Sequence, residues 1–148
     1  MDFLSEFPVI TELPVQWGDQ DALGHVNNVV FFRWWETARI DYCREIGLMR
    51  DDASLAIGTV LAAMQCDFRR QLAFPDTVRI GSRLARVGNS SIRIEHRLIS
   101  LTQNEIAAEA VSTIVAFDFE QQVSLSVPND MRAAMRKIES GRRIEGLD

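Results

Sequence analysis

One lysine, one tyrosine, two cysteines and two histidines are all that this 148-residue chain holds of those types, and each scarcity excludes a class of chemistry. Cys43 and Cys66 form no C-x-x-C pair. A disulfide framework or a cysteine-rich metal site therefore lacks material, and a reducing, cytoplasmic setting fits. His25 and His96 are too few for a multi-histidine zinc site, so no metal is expected. No stretch approaches the roughly 20 unbroken apolar residues of a membrane span. The opening Met1-Asp2-Phe3-Leu4-Ser5-Glu6 carries acids where a signal peptide carries bases. With a net charge of −5 and a pI near 5.1, the chain does not suit sequence-independent nucleic-acid binding.

What is present reads as a single globular domain, residues 1–148, with 47% apolar and 25% charged residues. That apolar share excludes a disordered chain. Fifteen arginines stand against one lysine. Arginine is the better bidentate partner for carboxylate and phosphate, although a genome-wide codon bias produces the same ratio.

Repeats, low-complexity tracts and linkers are absent. Pro14 opens a short segment, Val15-Gln16-Trp17, that reads as a strand, and residues 18–24 are punctuated like a loop. From Asn28 the period changes: Phe31, Trp35, Ala38, Tyr42 and Ile46 lie on one face of a helix. Asn27 or Asn28 suits its N-cap, and Gly47 its stop. Strands follow at 59–69, 77–87, 91–101 and 105–119, with turns at Phe74-Pro75-Asp76 and Gly88-Asn89-Ser90. His96 falls on an apolar strand face, as a core histidine with a hydrogen-bonded ring does. Pro128 opens a short helix carrying Met131, Ala134, Met135 and Ile138, and the charged tail 139–148 reads as frayed. One long apolar helix on one curved antiparallel sheet is an α+β architecture.

The chemistry concentrates between Trp17 and Asn28. Asp19, Asp21, His25, Asn27 and Asn28 crowd beside a helix N-terminus, whose unpaired N–H groups suit developing negative charge. A carboxylate there can attack a carbonyl or activate water. The same residues also make turns and caps, and composition alone leaves both readings open.

The string D-Q-D-A-L-G-H-V-N-N, followed by V-V-F-F-R-W-W-E-T-A-R, resembles the hotdog-fold acyl-CoA thioesterases of the 4-hydroxybenzoyl-CoA thioesterase-like branch. Downstream, C-D-F-R-R-Q-L-A-F-P-D-T-V and V-G-N-S-S-I extend the likeness over about residues 12–138. The resemblance implies a hotdog fold, a curved antiparallel sheet wrapped around one long central helix. It also implies hydrolysis of an acyl-CoA to free acid and coenzyme A, which is substrate and not cofactor.

By the same resemblance Asp21 is the catalytic carboxylate, as nucleophile or general base. Asn28 offers its main-chain N–H to the thioester oxygen, and Asn27 joins the substrate-binding residues. His25 positions the loop, with a direct role less favoured because some relatives replace the H-V-N-N string and keep their activity. Coenzyme A brings phosphates, for which Arg69, Arg70 and Arg93 are the candidate cations. The turn Asn89-Ser90-Ser91 offers backbone N–H groups. Glu36 and Arg39, at i and i+3, read as a structural ion pair.

An acyl carrier protein thioester is the rival substrate, mildly disfavoured because the carrier needs a basic docking surface. A non-catalytic acyl-binding hotdog domain would not need Asp21. A hydratase of this fold carries D-x-N-P-x-H, and this chain lacks the Asn-Pro. The family's assembly implies a homodimer or a larger homo-oligomer such as a tetramer. Its site would lie at the seam, with the Asp21 loop of one chain facing the helix start of the other. Residues 105–119 and 91–101 are the expected contacts.

Overall fold

Helix α1 (Asn28–Glu45) forms where the 3.6-residue period predicts it. The Asn27 side chain caps it by accepting the Val29 N–H at 3.0 Å. Gly47, with φ +78°, turns the chain beyond its end. In the computed structural model, which describes residues 2–48 and 57–147, the other elements are β1 (Val9–Pro14), a 3-10 turn (Trp17–Asp19), β2 (Ile57–Phe68), β3 (Thr77–Val87), β4 (Ser91–Ser100), β5 (Glu105–Asp118), β6 (Val123–Ser124) and α2 (Asn129–Ile138).

The strands make one antiparallel sheet in the order β1-β3-β4-β5-β2, with β6 paired to the end of β5. The predicted stripe of Phe31, Trp35, Ala38, Tyr42 and Ile46 is buried along its whole length. Its N-terminal half joins Val78, Ile80, Leu98 and Ala108. Its C-terminal half joins Leu84, Ile92, Ile94, Ile114 and Met135 of α2. Burial of each such side chain contributes about 1.5–3 kcal/mol relative to exposure, so the helix and sheet hold each other.

Three expectations are corrected. The first strand is Val9–Pro14, not Val15-Gln16-Trp17. Val9 and Thr11 point inward while Ile10 and Glu12 point out, and Pro14, which has no N–H to donate, ends the strand. The second correction concerns the edges. β4 and β5 each have neighbours on both sides, so residues 91–101 and 105–119 cannot offer a sheet edge. The terminal strands are β1 and β2, the latter following α1 in sequence but pairing with β5. Chain order is not spatial order, and no sequence pattern distinguishes the two arrangements here.

The third concerns the tail, which is packed rather than frayed. β1 pairs with β3 only as far as Ser82, so residues 83–87 of β3 lack a neighbour on that side. The tail supplies one. The buried Glu139 carboxylate accepts the Leu84 N–H at 2.6 Å, and Arg142 donates to the Leu84 carbonyl. Val87 N–H donates to the Glu145 carbonyl at 3.0 Å. Gly146 lies so close that a Cβ there would sit 1.7 Å from the Val87 carbonyl oxygen. Ile144 and Leu147 complete the core beside α2. Glu139 also pairs with Arg142 at 3.1 Å. The Tyr42 phenol, buried and facing the Glu139 charge, is pushed well above its usual range.

Glu139→Ala orphans the Leu84 amide and unpairs Arg142. We expect a loss of about 1–3 kcal/mol in urea unfolding, the cost of an unsatisfied buried group. A midpoint equal to that of the wild type would show that the tail contributes nothing to β3.

Candidate functional site

The loop between β1 and α1 is zipped into a tight hairpin. Asp21 N–H donates to the His25 carbonyl at 2.9 Å, and Asn27 N–H to the Asp19 carbonyl at 3.0 Å, with Gln20 and Val26 bridged between them. Asp19 is the clamp. Its buried carboxylate accepts the Gln16 N–H at 2.8 Å and the Arg33 guanidinium at 3.3 Å. That pairing ties the base of the loop to the second turn of α1. Gln20 and Val26 then anchor the hairpin to the 72–74 segment, through Phe74 N–H to Gln20 Oε1 at 3.1 Å and Val26 N–H to the Leu72 carbonyl at 2.7 Å.

Asp21 is exposed at the tip of this hairpin. Its Oδ1 accepts the Leu23 N–H at 2.9 Å, the turn-forming bond its residue type favours. Oδ2 has no protein partner among the described residues and is available for chemistry. Asn28 begins α1 at the other stem of the same hairpin. Asn27 caps Val29 and Val30 through its side chain and its carbonyl, leaving the Asn28 N–H without a protein acceptor among the described residues. The Asn27 carboxamide oxygen is thus committed to the helix. Asp21 and Asn28 belong to the tip and the stem of one hairpin. His25 is partly buried and holds Asp21 through its carbonyl, a positioning contact made by the main chain.

Beside Asn28 lies a cleft of about 250 Å³ lined by Val26, Asn28, Phe31, Phe68, Arg69, Arg70 and Gln71. Phe31 meets Phe68 edge-on at 5.1 Å between centroids, and both Arg69 and Arg70 N–H groups donate to the Ala107 carbonyl. Arg33, Phe31 and Phe68 escaped the sequence reading of the site. For Arg33 a charge five residues past Asn28 was the available signal. For the two phenylalanines there was none, because their contact spans helix and sheet.

The remaining predicted residues are elsewhere. Asn89, Ser90 and Ser91 turn between β3 and β4 at the opposite end of the sheet from Asp21. Arg132 of α2 fixes that turn through the Gly88 carbonyl at 2.7 Å, and the Asn89 carbonyl accepts the Val127 N–H at 2.8 Å. Arg93 is exposed near that end and pairs across the strands with Arg86, along a recess of about 520 Å³. Glu36 and Arg39 form the expected ion pair at 3.5 Å. Burial pushes the Cys43 thiol up to about 12 and raises Cys66, which disfavours the reactive thiolate at both.

His96 is buried in the sheet. Its ring nitrogens meet Ser82 Oγ at 2.8 Å and Ser112 Oγ at 2.9 Å, and it stacks on Trp35. Burial first, and the Arg39 charge second, lower its pKa to about 3 from the ordinary 6.5.

A family model described as the thioesterase-like superfamily matches residues 15–135. A thioesterase from Thermus thermophilus, solved with coenzyme A and Zn, is 32% identical, with a TM-score of 0.80 over 95% of this chain and 99% of that one. The protein YsmA of Bacillus subtilis (strain 168) is 30% identical over 95 residues, 64% of this chain and 63% of its own length. This chain thus spans less than two thirds of that relative. The long-chain acyl-CoA thioesterase FadM of Escherichia coli (strain K12) is 22% identical over 86% of this chain and 97% of its own.

The neutral His96 makes stability depend on pH. The unfolded chain takes up this proton below about 6.5, while the fold refuses it until about 3. Its contribution is therefore complete above 6.5 and is lost as pH falls from 6.5 towards 3. Replacing it by glutamine removes the titration, so urea midpoints of wild type and His96→Gln should converge on acidification from pH 7 to 4. A gap that stays constant with pH would refute the assignment.

Proposed function

The chain belongs to the thioesterase-like superfamily, and we propose that it is an acyl-CoA thioesterase acting through Asp21 and the start of α1. The observation that carries this reading is the single hairpin from which the Asp21 carboxylate and the Asn28 N–H both emerge. The thioester oxygen accepts the Asn28 N–H, where the helix dipole adds about 0.3–1 kcal/mol for the developing charge. Asp21 Oδ2 then attacks the carbonyl carbon, or takes a proton from the water that does. The C–S bond breaks, and the thiolate leaves with little need of acid assistance. On the direct-attack route a water then cleaves the anhydride between Asp21 and the acyl group, releasing the free acid and restoring the carboxylate. His25 and Asn27 hold the hairpin and the helix cap. Free Cys43 and Cys66 suit a cytoplasmic setting, and among the described residues no helix is long and apolar enough to cross a membrane.

The active unit is a homodimer formed through β2, with its sheet curving round α1 and a tetramer of two such dimers as the larger form. No described residue pairs with the outer edge of β2. Val60, Leu61 and Phe68 are exposed on it, as are Val29 and Phe32 of the adjoining helix. The geometry of coenzyme A supports this assembly. Within one chain the hairpin 89–91 lies a strand length from Asn28, roughly 30 Å at about 3.3 Å per residue. Antiparallel pairing of two β2 edges brings the partner's far end alongside. The partner's β4 is then three strand spacings from this chain's β2, roughly 14 Å at about 4.8 Å each. The pantetheine arm spans about thirteen bonds from sulfur to diphosphate, roughly 15 Å at peptide-like bond lengths. Asn89, Ser90, Ser91 and Arg93 in the partner subunit are thus suited to the phosphates of an ester whose carbonyl sits at Asn28.

Asp21→Asn keeps the shape of the loop and removes the base, so turnover of the best acyl-CoA should fall at least about a hundredfold with the unfolding midpoint unchanged. Arg93→Glu should raise KM for acyl-CoA far more than it lowers kcat. Mixed, exchanged and assayed well below the wild-type KM, where each variant alone is nearly inactive, the two should recover about a quarter of the wild-type rate, because half of the dimers then carry one intact site. An active monomer by light scattering, or no recovery on mixing, would overturn the shared site. Wild-type rates from Asp21→Asn would overturn the mechanism.

A further inference from the structure

The two arginines at the end of β2 do not suit the phosphates of the ester that Asn28 polarises. Arg69 and Arg70 line the same 250 Å³ cleft as Asn28, whereas the diphosphate of an extended coenzyme A ester lies roughly 15 Å from the thioester. Their charge is also incompletely spent. Arg69 reaches Glu109 and Arg70 reaches Glu105 only at 3.6 Å, outside hydrogen-bonding distance, with half of each arginine side chain exposed. Glu109 is drawn away by Arg97, whose Nε and Nη2 both lie 3.3 Å from its Oε2. Neither glutamate lines the cleft. The rest of the cleft lining is Val26, Phe31, Phe68 and Gln71, apolar except for the last.

Resting on the thioesterase reading, we propose that this cleft receives the acyl end of the substrate and selects acyl groups that end in a second carboxylate, with Arg69 and Arg70 as the specificity-determining cations. The carbon skeleton lies between Phe31 and Phe68, and the far carboxylate meets the guanidinium forks, whose planar donors match it in bidentate fashion. A cleft of about 250 Å³ has room for a chain of about six carbons or one benzene ring. Asp21, acidic at the reacting end, repels the free carboxylate and so enforces the orientation.

The test compares adipyl-CoA with its neutral match, methyl-adipyl-CoA, and repeats the pair as N-acetylcysteamine thioesters, which have no phosphates. Wild-type kcat/KM should favour the free carboxylate by about ten- to a hundredfold on both carriers, the range expected for charge-assisted hydrogen bonds. In the double variant Arg69→Gln, Arg70→Gln, that ratio should fall to near one, through a loss on the free carboxylate larger than any change on the methyl ester. A wild-type ratio near one overturns the proposal while leaving the hydrolase reading intact. So does a variant that loses activity on coenzyme A esters alone, since the arginines would then serve the phosphates. Should no thioester be hydrolysed, the functional reading fails. The cleft is then judged by fluorescence of Trp34, whose ring lies 5.3 Å from Phe31: quenching by adipate but not hexanoate, lost in the double variant, upholds the selectivity, and its absence overturns it.

Discussion

Burial of one face of α1 against the sheet is the constraint on which the remaining structure depends. Trp35, Ala38 and Tyr42 are wholly excluded from water, and the helix packs on β1, β3, β4 and β5 together. Neither partner could stand alone. An 18-residue helix is marginal in water without tertiary contacts, and a sheet with one unburied apolar face would aggregate. Fixing the helix axis also fixes where its first turn points. The position of the Asn28 amide is therefore a consequence of core packing some distance along the helix, not of the loop alone.

The loop is held to that axis by charge and hydrogen bonds rather than by apolar burial. Asp19 is buried, yet it is satisfied by the Gln16 N–H and by Arg33. Such a group costs little when partnered and much when orphaned. It therefore specifies one loop conformation among the several that a Gly-Asp-Asn-rich segment could adopt. Two aspartates two residues apart thus divide their work by environment: Asp19 faces inward and positions, while Asp21 stands exposed with one oxygen free.

The helix, its cap, its stop and the strand 77–87 were legible because each is written in local periodicity and capping chemistry. His96 was legible as a core histidine because its strand face is otherwise apolar. The first strand was not: its alternation over Val9 to Leu13 is short and interrupted by Thr11 and Glu12, while Val15-Gln16-Trp17 looks more β-prone. The tail was misread because its arginines and glutamates signal solvent, yet Glu139 and Arg142 are spent on the unpaired backbone of Leu84. Within the site, the acid, the helix start and the cations could be named from the motif. Their distribution could not. That the turn 89–91 lies at the far end of the sheet, while Arg69 and Arg70 lie beside Asn28, follows from strand order, which local sequence does not encode.

The three exposed stretches of sheet edge are treated differently, and the difference bears on assembly. β1 is short and bracketed by Pro8 and Pro14, which cannot donate to an added strand. The stretch of β3 beyond β1 is covered by the chain's own tail through Leu84 and Val87. The outer edge of β2 alone is long, carries exposed valine, leucine and phenylalanine, and has no partner among the described residues. By closing β3, the tail leaves β2 as the long edge without a partner among the described residues, the one on which the proposed second copy would add a strand. That edge ends at Phe68, against Phe31 and one residue before the arginines of the cleft. In the proposed dimer, pairing there would bring a second copy against Phe68 in the same step that extends the sheet, so the contact that would stabilise the dimer is also one that would shield the cleft beside Asn28.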